Sequence, residues 1–208
     1  MPARLSPLSA DSPLVLGSGS PRRREILTEG RVPFVVVVGD ADEAVLAGEP
    51  VAAYLERVVL AKLEAVRRRL SERELRGGEA ILVADTSVVE GGAILGKPAD
   101  DAEGLGMIRR LSGRTHEVQT RFAIGSATLG EAPRVARTVV TRVRFRVITD
   151  DEARAYVASG EGRDKAGGYA VQGGAAPFVE AIDGSYSCVV GLPKEEVLEA
   201  LGALGLRA

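Results

Sequence analysis

Gly17-Ser18-Gly19-Ser20-Pro21-Arg22-Arg23-Arg24 follows a short apolar run, Leu14-Val15-Leu16. Ser20 before Pro21 is a strong helix start, with serine as N-cap and proline at the first helical position. Strand, small-residue turn and helix N-terminus then offer hydroxyls, free backbone N–H groups and the adjacent Arg22 and Arg23. That is a setting for an anion, most naturally phosphate. The plainer reading is a capped helix with a solvated basic first turn, but arginines there oppose the helix dipole. The spacing matches neither a Walker A loop nor a dinucleotide fingerprint.

Asp85 ends a second apolar run, residues 80–84. It reads as a general base or metal ligand at a strand end, or as an acid capping a turn. Glu43, in the acidic turn Asp40-Ala41-Asp42-Glu43, offers a second carboxylate for a hard divalent cation, or is simply solvated. A third centre is residues 160–174, with six glycines in fifteen positions around Asp164, Lys165, Tyr169 and Gln172. Backbone there can approach a ligand closely, and the Gln172 amide can read a base edge; the alternative is a flexible surface loop. Only four of the 27 bases are lysine (Lys62, Lys97, Lys165, Lys194) and the other 23 are arginine. The two are not interchangeable, so each lysine is worth a question.

The sole histidine, His116, excludes a multi-histidine metal site and makes Ser/His/Asp catalysis a poor fit; in an alternating strand it reads as structural. The lone Cys188 sits among Tyr186, Val189 and Val190 and reads as a core thiol. With no second cysteine there is no disulfide framework, as expected of a reducing, cytoplasmic compartment. The 208 residues are 45% hydrophobic and 27% charged with net charge −2, an ordinary globular composition. Neither a nucleic-acid nor a membrane partner is expected: no global positive field and no apolar membrane stretch is present.

Around these residues the elements interleave. Residues 1–13 read as a flexible tail and residues 34–38 as a buried valine strand. Residues 51–70 form a helix with Leu55, Val58, Val59, Val66 and Leu70 on one stripe. Lys62 falls mid-stripe, so it either snorkels to an edge or lines a polar cleft. A strand ends at Asp85-Thr86, and Val88-Val89-Glu90 and Ala93-Ile94-Leu95 make a hairpin around Gly91-Gly92. Thr86 is then expected opposite Lys97. Residues 100–111 read as a helix and 116–124 and 139–147 as strands, the second with Val143, Phe145 and Val147 inward and three arginines on a solvated face. Thr149 and Glu152 form a capping box for a helix ending near Ser159-Gly160. Residues 160–174 are too glycine-rich for a packed element. Strands over 178–182 and 185–190 and a helix opened by Pro193 follow. The class is α/β.

In this order, several short motifs resemble the Maf family of nucleoside triphosphate pyrophosphatases. They are Ser18-Gly-Ser-Pro-Arg-Arg23, Asp42-Glu43, Tyr54 to Lys62, Ala84-Asp85-Thr86, Gly96-Lys97-Pro98, Leu111-Ser-Gly-Arg-Thr-His116, Asp164-Lys-Ala-Gly167, Tyr169 to Gly173, Gly184-Ser-Tyr186 and Gly191-Leu-Pro193. The likeness spans residues 14–206 as one domain beyond the tail. It implies a mixed, twisted sheet flanked by helices, two lobes around a central cleft, as in inosine-triphosphatase-like folds. It implies hydrolysis of a nucleoside triphosphate to the monophosphate and pyrophosphate, helped by Mg²⁺ or Mn²⁺. Carried over residue by residue, it makes Asp85 the general base, with Glu43 beside it holding the metal and Lys97 acting on the phosphates. Ser18, Arg23, Lys62 and Lys165 join in binding the substrate, while Arg22, Thr86 and Gln172 govern the base. The Asp85-Thr86 pair and Tyr169-x-x-Gln172-Gly173 resemble the branch acting on dTTP and UTP. Gly168, Ala170 and Val171 stand where the family usually has Ala, Gly and Ile, and a base pocket loosened by Gly167-Gly168 extends the expectation to modified pyrimidine nucleotides. Dimerisation is a further family expectation. Maf proteins are also linked to inhibition of cell division, so the alternative is a nucleotide-binding regulator of septum formation with little turnover.

Overall fold

The computed structural model describes residue 5, residues 7–71 and residues 80–207; residues 1–4 and 6 of the expected tail lie outside the described residues. The helices are α1 (Pro21–Glu29), α2 (Val51–Ser71), α3 (Asp101–Leu111), α4 (Asp150–Ala158), α5 (Tyr186–Val190) and α6 (Lys194–Ala203). The strands are β1 (Leu14–Leu16), β2 (Phe34–Val36), β3 (Ala80–Glu90), β4 (Ala93–Leu95), β5 (Thr115–Ser126), β6 (Val135–Phe145) and β7 (Val179–Asp183). Among the described residues they form one sheet in the order β2-β1-β3-β5-β6-β7, with β4 on β3. The sheet is mixed: β1 runs parallel to β2 and β3, while β3–β4 and β6–β7 are antiparallel. The α/β reading stands.

The described residues within 1–85, 121–138 and 191–208 gather in one compact unit, and those within 86–120 and 139–190 in a second. In the first, β1 is fully buried. Val59, Leu63 and Val66 of α2 pack with Val15, Val37, Ile81, Val83 and Ala123. Gly39 lets the chain after β2 pass close to this helix, since a Cβ there would stand 2.5 Å from the Ala65 backbone. That approach brings the acidic turn to α2. Residues 8–12 are tied down too: Leu8 N donates to Leu206 O at 2.8 Å.

In the second unit Asp100 caps α3, which starts at Asp101, and the expected Thr149–Glu152 capping box opens α4. His116, Phe145, Tyr169, Tyr156 and Phe178 meet edge to face.

Five local expectations are corrected. Residues 34–38 are not a buried strand: β2 is the sheet's edge, with Val35 and Val36 exposed. Asp85 and Thr86 do not end a strand but lie within the single eleven-residue β3. Val147 is 75% exposed, because β6 stops at Phe145 and the inward alternation stops with it. Residues 160–174 are packed rather than open. Gly167 has φ +69° with Val88 carbons 2.9 Å from where its Cβ would be, and Tyr169 and Val171 are buried. The glycines serve close approach. Finally, residues 185–190 contain the helix α5 instead of a strand; Ser185 Oγ accepts from Cys188 N at 3.2 Å and caps the turn that β-favouring side chains had disguised.

Candidate active site

Ser20 does hold the N-cap position of α1 with Pro21 behind it, but its side chain makes no capping bond. Ser18 is the serine that organises the turn. Its Oγ accepts from Ser20 N at 3.3 Å and from Arg23 Nη1 at 3.0 Å. Arg23 is buried and also donates from Nε to Gly191 O at 2.8 Å. Burial pulls its guanidinium below the ordinary value, and the carboxylates of Asp85 and Glu43 pull it back. Arg22 differs: among the described residues its buried Nε has no hydrogen-bond partner. An unmet buried donor is costly, and an incoming anionic oxygen would satisfy it.

On α2 the question posed by Lys62 is answered. Its Nζ meets Asp85 Oδ1 at 2.7 Å and Glu43 Oε2 at 3.1 Å, with the lysine and Asp85 side chains only 12% and 8% exposed and Glu43 45%. Lys62 therefore joins the strand acid to the acidic turn. Tyr54, eight residues earlier on the same helix face, donates its hydroxyl to Glu43 O at 3.2 Å. Burial first, then the Asp85 and Glu43 charges, keep this phenol well above its ordinary value, so it stays a donor. Arg57 fixes the rest of the turn, donating to Ala44 O at 2.8 Å and pairing with Glu49.

The other candidates lie in the second unit. Thr86, half-buried, shares a 2.9 Å hydrogen bond with the fully buried Thr120. The β3–β4 register pairs Val88 with Leu95 and Glu90 with Ala93, and pairing stops at Leu95. The ladder thus ends short of the expected Thr86–Lys97 position. Lys97 is exposed, and Lys165 is paired with Asp164. Gly167 N donates to Gly96 O at 2.9 Å, tying the turn after Lys165 to the residue before Lys97. Gln172 is exposed. His116 and Cys188 are core residues, as expected. The His116 Nε2 and Tyr169 hydroxyl lie 2.8 Å apart, and burial pushes the imidazole down to about 4. The Cys188 thiol donates to Val139 O at 3.3 Å.

Sequence reasoning missed a part for Tyr54 and for Thr120. The first had a signal, since Tyr54, Val58 and Lys62 recur at four-residue intervals. Thr120 had none, because its partners come from distant segments.

Two carboxylates around one cation position are hard oxygen donors, the kind a magnesium or manganese ion takes from a protein. Among the described residues no group of three or more His, Cys, Asp or Glu gathers to hold a metal by itself. Water and phosphate oxygens would have to complete such a shell.

The profile described as Maf-like protein matches residues 13–204. A protein of Geotalea uraniireducens (strain Rf4) named dTTP/UTP pyrophosphatase is 45% identical over 198 residues, covering 95% of this chain and 98% of its own. One of the same name from Aromatoleum aromaticum is 44% identical over 201 residues, covering 92% and 95%. Among solved structures, a HAM1 protein from Coxiella burnetii superposes with TM-score 0.51 at 15% identity, covering 92% of this chain and 99% of that one, a likeness of fold alone. With the match running from β1 through α6 and the relatives covered almost end to end, the chain belongs to the Maf family.

Proposed function

We propose that the chain hydrolyses nucleoside triphosphates, dTTP and UTP foremost, to the monophosphate and pyrophosphate, modified pyrimidine nucleotides included. The observation that carries this is the convergence of Asp85 and Glu43 on Lys62 Nζ. It sets a positioned base beside a second acid and a compact phosphate-binding ammonium. The dTTP/UTP pyrophosphatase relatives support the substrate class.

Asp85 takes the proton of an attacking water, oriented by Lys62 from one side. The bond that forms joins water oxygen to the α-phosphorus; the bond that breaks is the α–β bridge, and pyrophosphate leaves. Lys62, Lys97, Lys165 and Arg23 serve the phosphate charges, with Ser18 holding Arg23 in place. Arg22, Thr86 and Gln172 read the base. Asp85 and Glu43 would hold a divalent cation, which when bound would neutralise charge building on the leaving group. No described helix is long and apolar enough to cross a membrane; the proposed setting is a cytoplasmic homodimer.

A panel of nucleoside triphosphates with Mg²⁺, Mn²⁺ or EDTA tests the reading. Cation-dependent pyrophosphate from dTTP and UTP is the expected result, lost in Asp85→Asn. Measurable binding without turnover of any nucleotide would overturn it in favour of a regulator.

A further inference from the structure

Thr120 is fully buried on β5, and its hydroxyl proton has a fixed destination: Oγ1 donates to Cys188 O at 2.8 Å. Cys188 is itself immobilised. Its N donates to Ser185 Oγ at 3.2 Å and its thiol to Val139 O at 3.3 Å. The fully buried Thr141 holds Ser185 in both directions, accepting from Ser185 N at 3.0 Å and donating to Ser185 O at 3.1 Å. The Cys188 carbonyl belongs to the five-residue α5, so the Thr120 hydroxyl is tied to a fixed main-chain acceptor.

A threonine hydroxyl has one proton and two lone pairs. With its proton committed to Cys188 O, Thr120 Oγ1 can take part in the 2.9 Å contact with Thr86 Oγ1 only as acceptor. Thr86 therefore donates to Thr120, and what Thr86 can offer a ligand is lone pairs. We propose that Thr120 is a positioning residue for base selection: it makes Thr86 an obligate acceptor for the imide N3–H that uracil and thymine carry and cytosine lacks. The inference rests on the reading of Thr86 as a base-facing residue. It adds the direction of the hydrogen bond, and with it the rejection of cytosine, whose N3 is an acceptor and would face another acceptor. Two facing acceptors leave a partner unmet, which is how a polar site rejects an isostere.

The test compares kcat/KM for UTP, CTP and N3-methyl-UTP, read as pyrophosphate release, in the wild type, Thr120→Val and Thr120→Ser. The wild type is expected to favour UTP over both others. In Thr120→Val the Thr86 proton is released to rotate; the UTP-to-CTP preference falls roughly tenfold, the worth of one hydrogen bond, mainly through KM for UTP. Thr120→Ser restores the preference. Equal losses for UTP and CTP in Thr120→Val would reduce Thr120 to a structural role and overturn the proposal. So would wild-type turnover of N3-methyl-UTP at the rate of UTP, an arm that needs no variant to fold. Failure of the underlying reading looks different: the wild type then releases no pyrophosphate from any pyrimidine triphosphate.

Discussion

Two covered cations stand five residues apart on α2, and they are held in opposite ways. Among the described residues Lys62 bonds only to side chains, Asp85 and Glu43, from different segments. Arg67, 1% exposed, bonds chiefly to main chain: Nε to Ser126 O at 2.9 Å and Nη1 to Glu131 O at 2.7 Å, with Glu64 as its ion-pair partner. Side-chain partners can rotate and exchange a lysine for a substrate or a cation. Main-chain carbonyls cannot, so Arg67 fastens the turn after β5 in place. The difference separates a cation kept for chemistry from one kept for folding: what matters is whether the acceptors can let go.

Substitutions along this contrast should split activity from stability. The largest effect belongs to Asp85→Asn, which removes the fixed partner of Lys62 and the proposed base. Pyrophosphate release from dTTP should fall roughly 10³-fold, with the unfolding midpoint close to wild type. Arg67→Met should do the reverse. It strands two main-chain carbonyls and costs about 3 kcal/mol in denaturant unfolding, while activity per folded molecule persists.

A third covered base extends the comparison. His116 is held neutral by burial, its folded value near 4 against an ordinary 6.5. Between those values the unfolded chain binds a proton that the folded chain refuses, so stability declines as pH falls from 6.5 to 4. The loss amounts to about 3 kcal/mol. His116→Gln should flatten that slope in denaturant melts at pH 7 and pH 4.5, placing His116 with Arg67 rather than with Lys62. Next, Lys62→Met should cut turnover about 100-fold but unfold more like wild type than Arg67→Met does, because Glu43 and Asp85 can turn to water and to Arg23. Smallest is Glu64→Gln. That acid is a third exposed, and losing its pair with Arg67 should cost below about 1 kcal/mol.

Lys62 was legible in the sequence because a charged residue interrupted an apolar stripe, and Asp85 because it followed a buried run. Arg67 was not: Arg67-Arg68-Arg69 reads as a solvated helix end, and nothing local announces carbonyls arriving from residues 126 and 131. The capping box at Thr149 is legible because a cap is a three-residue event. The misread stretches failed where tertiary context overrode local preference. Val35 and Val36 look like core until the sheet order puts β2 at the edge. Tyr186 to Val190 favour a strand until Ser185 caps them as a helix. The glycines of 160–174 looked loose because glycine marks both freedom and close contact, and only the neighbour of Gly167 tells which applies.

The central claim is that Asp85, set against Lys62 and Glu43, directs water at the α-phosphorus of a pyrimidine nucleoside triphosphate. Phosphorus NMR of dTTP turnover in ¹⁸O-water tests it directly. The account predicts pyrophosphate and dTMP, with the label on dTMP, and both products formed roughly 10³-fold more slowly by Asp85→Asn. Orthophosphate with dTDP, or the label on pyrophosphate, would contradict it.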